Sequence, residues 1–512
     1  MRRRAALAVA LAALLCTPGS PAAAQAVVTS GGPDAFAVTV YRDRERPPGQ
    51  APNLGWLRGY ALISETRTIS VPAGESVVRF EGVASGLFPE TAIVTGFPEG
   101  IIERNRDADL LSAASLLDRS LARRVHLRRT SLATGAVREE EAVIRSGAGG
   151  AVVIQTAAGF EALRCSGLPE TLIYDGVPAG LSPRPTLSVR LRSSVAATAT
   201  VTLSYLAAGF DWQANYVATL APDGRRLDLF AWLTLASMDD TSFPEASAQA
   251  VAGQPNREPP EWEPPQVHEL HLRCWPEGRT HQPAPGQGLY EVGDQAIVVT
   301  GSRIGGADMR ALSPATSVMA EQEDLGDLKL YRIPVPVTVA SHSQKQVALL
   351  RRTGVEVRQI YRQRVDPDHD RDEPVPAQWL LLTRNRTAEG LGLPLPAGRL
   401  LLFGAGAARP VMLGVGAIRD HAVGEEVELP FGPAIGIFTT LRRVSESEGM
   451  TSWELIVSSD HRRRVEFEAL LAFADVRSRT RLDARDGMPL WRVRLPANGT
   501  ATLRFTSPGR LD

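Results

Sequence analysis

Strong net charge, cysteine and long apolar runs are all scarce in this chain of 512 residues. Its 56 Lys and Arg nearly cancel 57 Asp and Glu, which leaves a formal net charge of −1. So balanced a chain has no global field to gather nucleic acid or an anionic membrane. Beyond the N-terminal leader, no run is long and apolar enough to span a membrane as a helix, which takes about 20 residues. G-x-S-x-G elbows, phosphate loops and C-x-x-C pairs are missing, and with them the usual signatures of hydrolase, nucleotide and thiol-redox sites. Sustained heptads are missing too, which excludes a coiled coil. There are 3 cysteines. Cys16 lies in the leader behind Leu15, a larger residue than a lipidation site favours. The others, Cys165 and Cys274, either pair in an oxidising compartment or stand apart as separate thiols.

What is present points to β-structure. The chain carries 45 Gly and 37 Pro, with many short Val, Leu and Thr runs between them. Its length allows several cores. The clearest hairpin joins Tyr216–Leu220 to Leu227–Leu235 through Pro222-Asp223-Gly224. Asp-Gly reaches positive φ cheaply, so it favours a tight turn. Leu227, Leu229, Ala231, Leu233 and Leu235 share one face, and Phe230 and Trp232 share the other. Apolar bulk on both faces suits a strand packed between layers.

Met1–Ala26 reads as a signal peptide: Arg2–Arg4, then the apolar Ala5–Leu15, then small residues for cleavage after Ala26 or Ala24. Residues 27–108 read as an N-terminal β region, with strands at Phe36–Tyr41, Tyr60–Val71 and Ser76–Phe80. In 109–180, a helix over Asp109–Leu121, capped by Asp109, precedes short strands at Arg124–Arg129, Glu140–Arg145 and Ala151–Thr156. A helix before several short strands resembles a small Sm- or SH3-like barrel. Arg123, Arg124, Arg128 and Arg129 form its basic cluster, read as a solvated strand edge rather than a nucleic-acid site. Residues 181–253 hold the central sandwich hairpins. Residues 254–327 are dense in proline, which removes backbone donors, and read as a disordered arm. Residues 328–512 return to short strands and read as a C-terminal β-sandwich. The fold class expected is mainly β: two sandwich-like regions, a small barrel, one short helix and a long arm.

Within the hairpin region stand Leu203-Ser204-Tyr205-Leu206, Gly209, Trp212-Gln213-Ala214, Tyr216, Leu227-Asp228-Leu229, Trp232, Leu235 and Val251-Ala252-Gly253. This order resembles a bacterial family of unknown function that includes the mucoidy-inhibitor A proteins. Ile333-Pro334, Lys345-Gln346-Val347, Leu393–Gly398 and the Asp420–Val427 segment resemble phrases of the same family. Longer members carry a coiled-coil insert, so this chain resembles the short form. The family's name records a phenotype, so the resemblance implies no reaction.

Three constellations merit a chemical reading. His268, His271, Cys274 and His281 supply imidazole and thiolate at spacings that suit a tetrahedral zinc site, against a solvated loop. Asp366, Asp368, Asp370 and Asp372 alternate like calcium-loop oxygens but lack the turn Gly and distal Glu, so a solvated face is the plainer reading. Ile297–Ile304 resembles the opening strand of TonB-dependent receptor plug domains and offers one strand for a sheet edge, this protein's own or a partner's. Asp211, Trp212 and Tyr216 form either a sugar-stacking patch or core. No residue is assigned a catalytic or cofactor-binding role. These features favour an exported, periplasmic or secreted, non-catalytic protein that binds or scaffolds an envelope protein or glycan. The alternatives are a metal-dependent hydrolase using the His/Cys loop, and a glycan-binding protein.

Overall fold

Strands make up 63% and helix 4% of the computed structural model, which describes residues 26–107, 111–146, 152–163, 168–178, 181–253, 319–325, 328–369, 373–404, 410–447 and 449–510. The mainly β class is the class adopted. The described residues divide into two units. One takes those of Met1–Ala35 and Ser64–Tyr205, the other those of Phe36–Ile63, Leu206–Trp262 and Gly288–Asp512. The strands Tyr60–Val71 and Ala197–Ala208 each change unit part-way along.

In the first unit, a sheet runs in the order Ala26–Thr29, Gly74–Glu81, Thr186–Ser193, Ile101–Asp107. The unit's part of Tyr60–Val71 buries every second residue. Its Arg67 guanidinium reaches within 5.6 Å of the Phe80 ring, so the two layers meet face to face. Glu65 lies between them and takes a hydrogen bond from the Tyr205 hydroxyl and an ion pair of 2.6 Å from Arg67. Arg67 also donates to Ser30 Oγ, to the carbonyl of Gly31 and to that of Glu81. A fully buried charge persists only when its partners are satisfied in this way.

The expected small barrel is instead an open sheet, ordered Gly159–Ala162, Val153–Thr156, Val137–Ile144, Arg124–Thr130, Glu170–Ile173. No ladder joins its outer strands, each four residues long, among the described residues. Arg129 spans them: Nε lies 2.8 Å from Glu170, and the two terminal nitrogens lie 2.6 Å from Glu161 and 3.0 Å from Glu140. One guanidinium therefore does by ion pairing what backbone pairing would do in a closed barrel. Arg123, Arg124 and Arg128 of the basic cluster are solvent-exposed as read, but their place is not a sheet edge. Arg124–Thr130 is the second strand in from the edge, and Arg128 stands opposite Glu139, 3.2 Å away. The facing Glu139-Glu140-Glu141 run neutralises the arginines.

The helix covers Ala113–Arg119, shorter than expected, and Ser112 caps it. Ser112 Oγ accepts from the Ser115 amide at 3.1 Å, a reciprocal capping box that sets the start. Asp109, the expected cap, lies outside the described residues. Ala114 and Leu117 are buried, but Leu121 is exposed because the helix has ended and Ala122 turns to φ +61°.

In the second unit, the hairpin forms as read: Phe210–Leu220 pairs antiparallel with Arg226–Ser237, Leu220 opposite Leu227. It sits inside a five-stranded sheet ordered Ser343–Glu356, Arg226–Ser237, Phe210–Leu220, Gly398–Gly404, Val411–Ile418. A nine-stranded sheet follows, with Glu426–Ser447 as its longest strand. Gly432 and Gly436 there stand at φ +89° and +88°. Val375–Arg384 pairs with it on both sides of this bend, from Glu426 to Thr439, and Met450–Ser459 pairs with it only after the bend, from Ile437 on. One strand thus serves two halves of a curled sheet, whose inner face packs a common core including Ile437, Leu455, Phe467, Trp491 and Phe505.

Proline rearranges two expected strands. Tyr331–Val339 divides into Leu328–Arg332 and Val337–Val339, around Pro334 and Pro336. Leu391–Leu402 becomes a strand only from Gly398. The preceding segment hangs instead on buried Asn385, whose amide donates to the carbonyls of Leu393 and Ala422 and accepts from the amides of Gly392 and Leu393. Glu321–Leu325, inside the expected arm, is a strand paired with Leu328–Arg332, and Arg332 meets Glu323 at 3.2 Å. Its acidic composition disguised it, because backbone pairing, not side-chain burial, carries so short a hairpin.

Candidate functional site

The Asp-Gly turn ends at a cleft. Gly224 takes φ +68° and donates its amide to the Ala221 carbonyl at 2.9 Å. Asp223 accepts the Arg225 amide at 2.9 Å and meets the Arg226 guanidinium at 3.4 Å. Those contacts hold its carboxyl below the ordinary carboxylate range. The turn is tied down from outside as well. The Gln359 amide donates to the Gly224 carbonyl at 3.2 Å, and the Arg463 guanidinium donates to the Gln359 side-chain oxygen at 3.3 Å. The Val357 amide donates to the Arg225 carbonyl at 2.8 Å. Arg225 and Arg226 are therefore set in place by backbone as well as side chain.

The cleft beside this turn encloses about 750 Å³. Arg225, Arg226, Arg358, Arg463 and Arg464 line it, with Asp223, Glu356 and Glu466 as its carboxylates, a net charge of +2. Arg358 pairs with Glu466 at 2.8 Å, and Arg226 with Asp223. Arg225 and Arg464 have no ion-pair partner among the described residues, and both are exposed. Tyr361 closes the floor. Its ring packs tilted against His461, centroids 5.4 Å apart, and burial raises its hydroxyl pKa, with Arg463 pulling the other way. The lining is more polar than apolar, and its two valines, Val357 and Val465, are buried.

A second cavity, about 110 Å³, lies among Arg42, Arg44, Arg46 and Asp420. Two of its cations, Arg42 and Arg46, are engaged internally, and Arg44 is exposed. Arg46 binds Asp211 at 2.7 Å and the Trp212 carbonyl at 2.8 Å, both buried. Arg42 donates to the Ala397 carbonyl, and burial lowers its pKa. This cavity is a latch that holds the 42–54 loop to the hairpin.

The aromatic patch is core. Trp212 and Tyr216 are each 1% exposed. The Trp212 indole donates to the Val251 carbonyl at 2.9 Å, and the Tyr216 hydroxyl to the Pro396 carbonyl at 2.6 Å. Burial pushes the Tyr216 hydroxyl well above its ordinary pKa. Neither ring is free to stack on a sugar.

His268, His271, Cys274, His281 and Cys165 lie outside the described residues, as do Asp370, Asp372 and Ile297–Ile304. Asp366 and Asp368 share one turn, where Asp366 accepts the Asp368 amide at 3.1 Å. No group of three metal-ligating side chains occurs among the described residues. Gly414 and Gly416 sit in a strand, not before a helix, and a Cβ at Gly416 would lie 2.4 Å from the Pro430 carbonyl. Close strand packing accounts for those glycines. Asp420 accepts the Ala397 amide at 2.8 Å, a structural contact rather than a partner for a catalytic histidine.

The cleft arginines were the residues that sequence reading missed. The run Arg462-Arg463-Arg464 was the available signal, since three adjacent cations before a strand seldom serve packing. No family model matches the chain, and no curated protein matches it.

Proposed function

We propose that the chain is an exported β-protein of the bacterial envelope that binds an envelope component in the arginine cleft and does no chemistry on it. The cleft carries this reading: a wide, polar, preset concavity with two cations left without partners. The signal-like leader supports the compartment. The bound component is an envelope protein or glycan, held by charge and hydrogen bonds on a sheet scaffold that resists deformation.

The test is site-specific photo-crosslinking in intact cells. A crosslinker replacing Glu356, at the cleft, is expected to capture an envelope component. The same group replacing Val444, an exposed residue outside the cleft, is expected to capture none. Equal capture from both, or only cytosolic adducts, overturns the reading. N-terminal sequencing of the exported chain is expected to begin at Val27 or Gln25. A chain beginning at its initiator methionine in the periplasmic fraction contradicts the cleaved leader.

A further inference from the structure

We propose that the cleft takes a segment of acidic glycan, with successive sugar carboxylates on the guanidiniums of Arg225 and Arg464. This rests on the cleft being the binding site and adds the chemistry of its ligand.

The lining decides the class by what it offers. Five arginines present planar donor forks, the geometry that matches carboxylates side-on. Two of these arginines already meet carboxylates, each through one terminal nitrogen: Arg226 on Asp223 at 3.4 Å and Arg358 on Glu466 at 2.8 Å. Arg225 and Arg464 are equivalent forks with no carboxylate of their own among the described residues.

Other polyanions fit less well. Single-stranded nucleic acid binds through exposed aromatic platforms as well as charge. The cleft's one aromatic, Tyr361, is 7% exposed and already packed against His461. Peptides and acyl chains need apolar anchors, and Val357 and Val465 are buried. Dense polyphosphate would set charged groups against Asp223, Glu356 and Glu466 as well as the arginines. A glycan with one carboxylate per sugar leaves neutral hydroxyls opposite those acids, where they donate hydrogen bonds. A volume of about 750 Å³ takes a short oligosaccharide stretch, within the range of ordinary ligand sites.

Each exposed guanidinium–carboxylate pair is individually weak. Affinity therefore depends on several pairs made by one chain. Five consequences are measurable by calorimetry on the full exported chain with a polyuronate oligomer as probe. The oligomer binds, while the free uronic acid at equal carboxylate concentration does not. The methyl-esterified oligomer, same backbone without charge, does not bind. Arg225→Ala with Arg464→Ala weakens binding about tenfold, with an unchanged melting temperature because both side chains are exposed. The corresponding lysine pair recovers only part of the loss, since charge returns but the fork does not. Raising salt from about 0.05 to about 0.5 M weakens binding in parallel.

Equal affinity for the methyl ester, for single-stranded DNA or for polyphosphate overturns the acidic-glycan assignment. So does a double alanine variant that binds normally. If polyuronate fails while crosslinking from the Glu356 position still captures an envelope component, the ligand class is wrong and the site stands. If both fail, the site itself is wrong.

Discussion

Gly224 is the residue on which the cleft's geometry turns. Its φ of +68° lies where side chains cost energy, and an added Cβ would sit 2.3 Å from the Gln359 amide nitrogen. Gly224→Ala is expected to lose about 1–2 kcal/mol from the backbone alone, read as a lower urea midpoint, and to displace Gln359. Unchanged stability would show that the turn relaxes freely. Glu65 and Arg67, with side chains 0% and 1% exposed, make a different kind of dependence. Burial raises the Glu65 pKa, against the opposing pull of Arg67 and Tyr205. Replacing Arg67 alone by Met leaves a buried carboxylate and is expected to cost about 3–5 kcal/mol. Adding Glu65→Leu should recover much of it, and a double variant no better than the single contradicts the pairing. Glu468 sets an acid limb. Burial alone would raise its pKa, but Arg362 at 2.7 Å and Arg492 at 3.0 Å outweigh it, and the carboxyl sits below its ordinary range. A lowered folded pKa contributes stability that is present above the unfolded value, about 4.3, and is lost as pH falls through the folded one. Glu468→Gln should flatten the acid side of a denaturation-versus-pH curve; an identical slope would place the acid sensitivity elsewhere.

At the level of elements, Arg129 is the clasp of the five-stranded sheet. Arg129→Ala is expected to speed amide hydrogen exchange about tenfold in Gly159–Ala162 and Glu170–Ile173. The ladder between Arg124–Thr130 and Val137–Ile144 should hold its protection. Uniform loss across all strands would mean that Arg129 supports the core rather than the edges. Element identity was largely legible beforehand. Tyr60–Val71 matches its expected bounds, because period-two alternation and a Pro-Ala-Gly turn are local signals. The Asp223-Gly224 hairpin was legible for the same reason. Two kinds of element were not. Glu321–Leu325 is held by backbone pairing that leaves no apolar pattern. Barrel closure depends on whether distant edge strands meet, and no local pattern encodes that.

Across the whole molecule, strands remote in sequence lie side by side. Phe210–Leu220 runs parallel to Gly398–Gly404, and Arg358–Val365 parallel to Val465–Leu471. Closing such long loops precedes any reward from pairing, so refolding after dilution from denaturant should take about a second or longer. A single millisecond phase would contradict the pairing. The net charge of −1 conceals a local +2 at the cleft, because a sum over the chain says nothing about where charges gather.

By itself the sequence determined the β class and the tight hairpin turn, since alternation and Asp-Gly backbone freedom act over a few residues. Only the tertiary structure decided that Trp212 and Tyr216 are core, and that Arg225, Arg358 and Arg464 line one cleft. Those outcomes follow from register, such as Tyr361 opposite Phe467. Register between distant strands is chosen by packing of the whole sheet, where a one-residue slip would send every side chain to the opposite face.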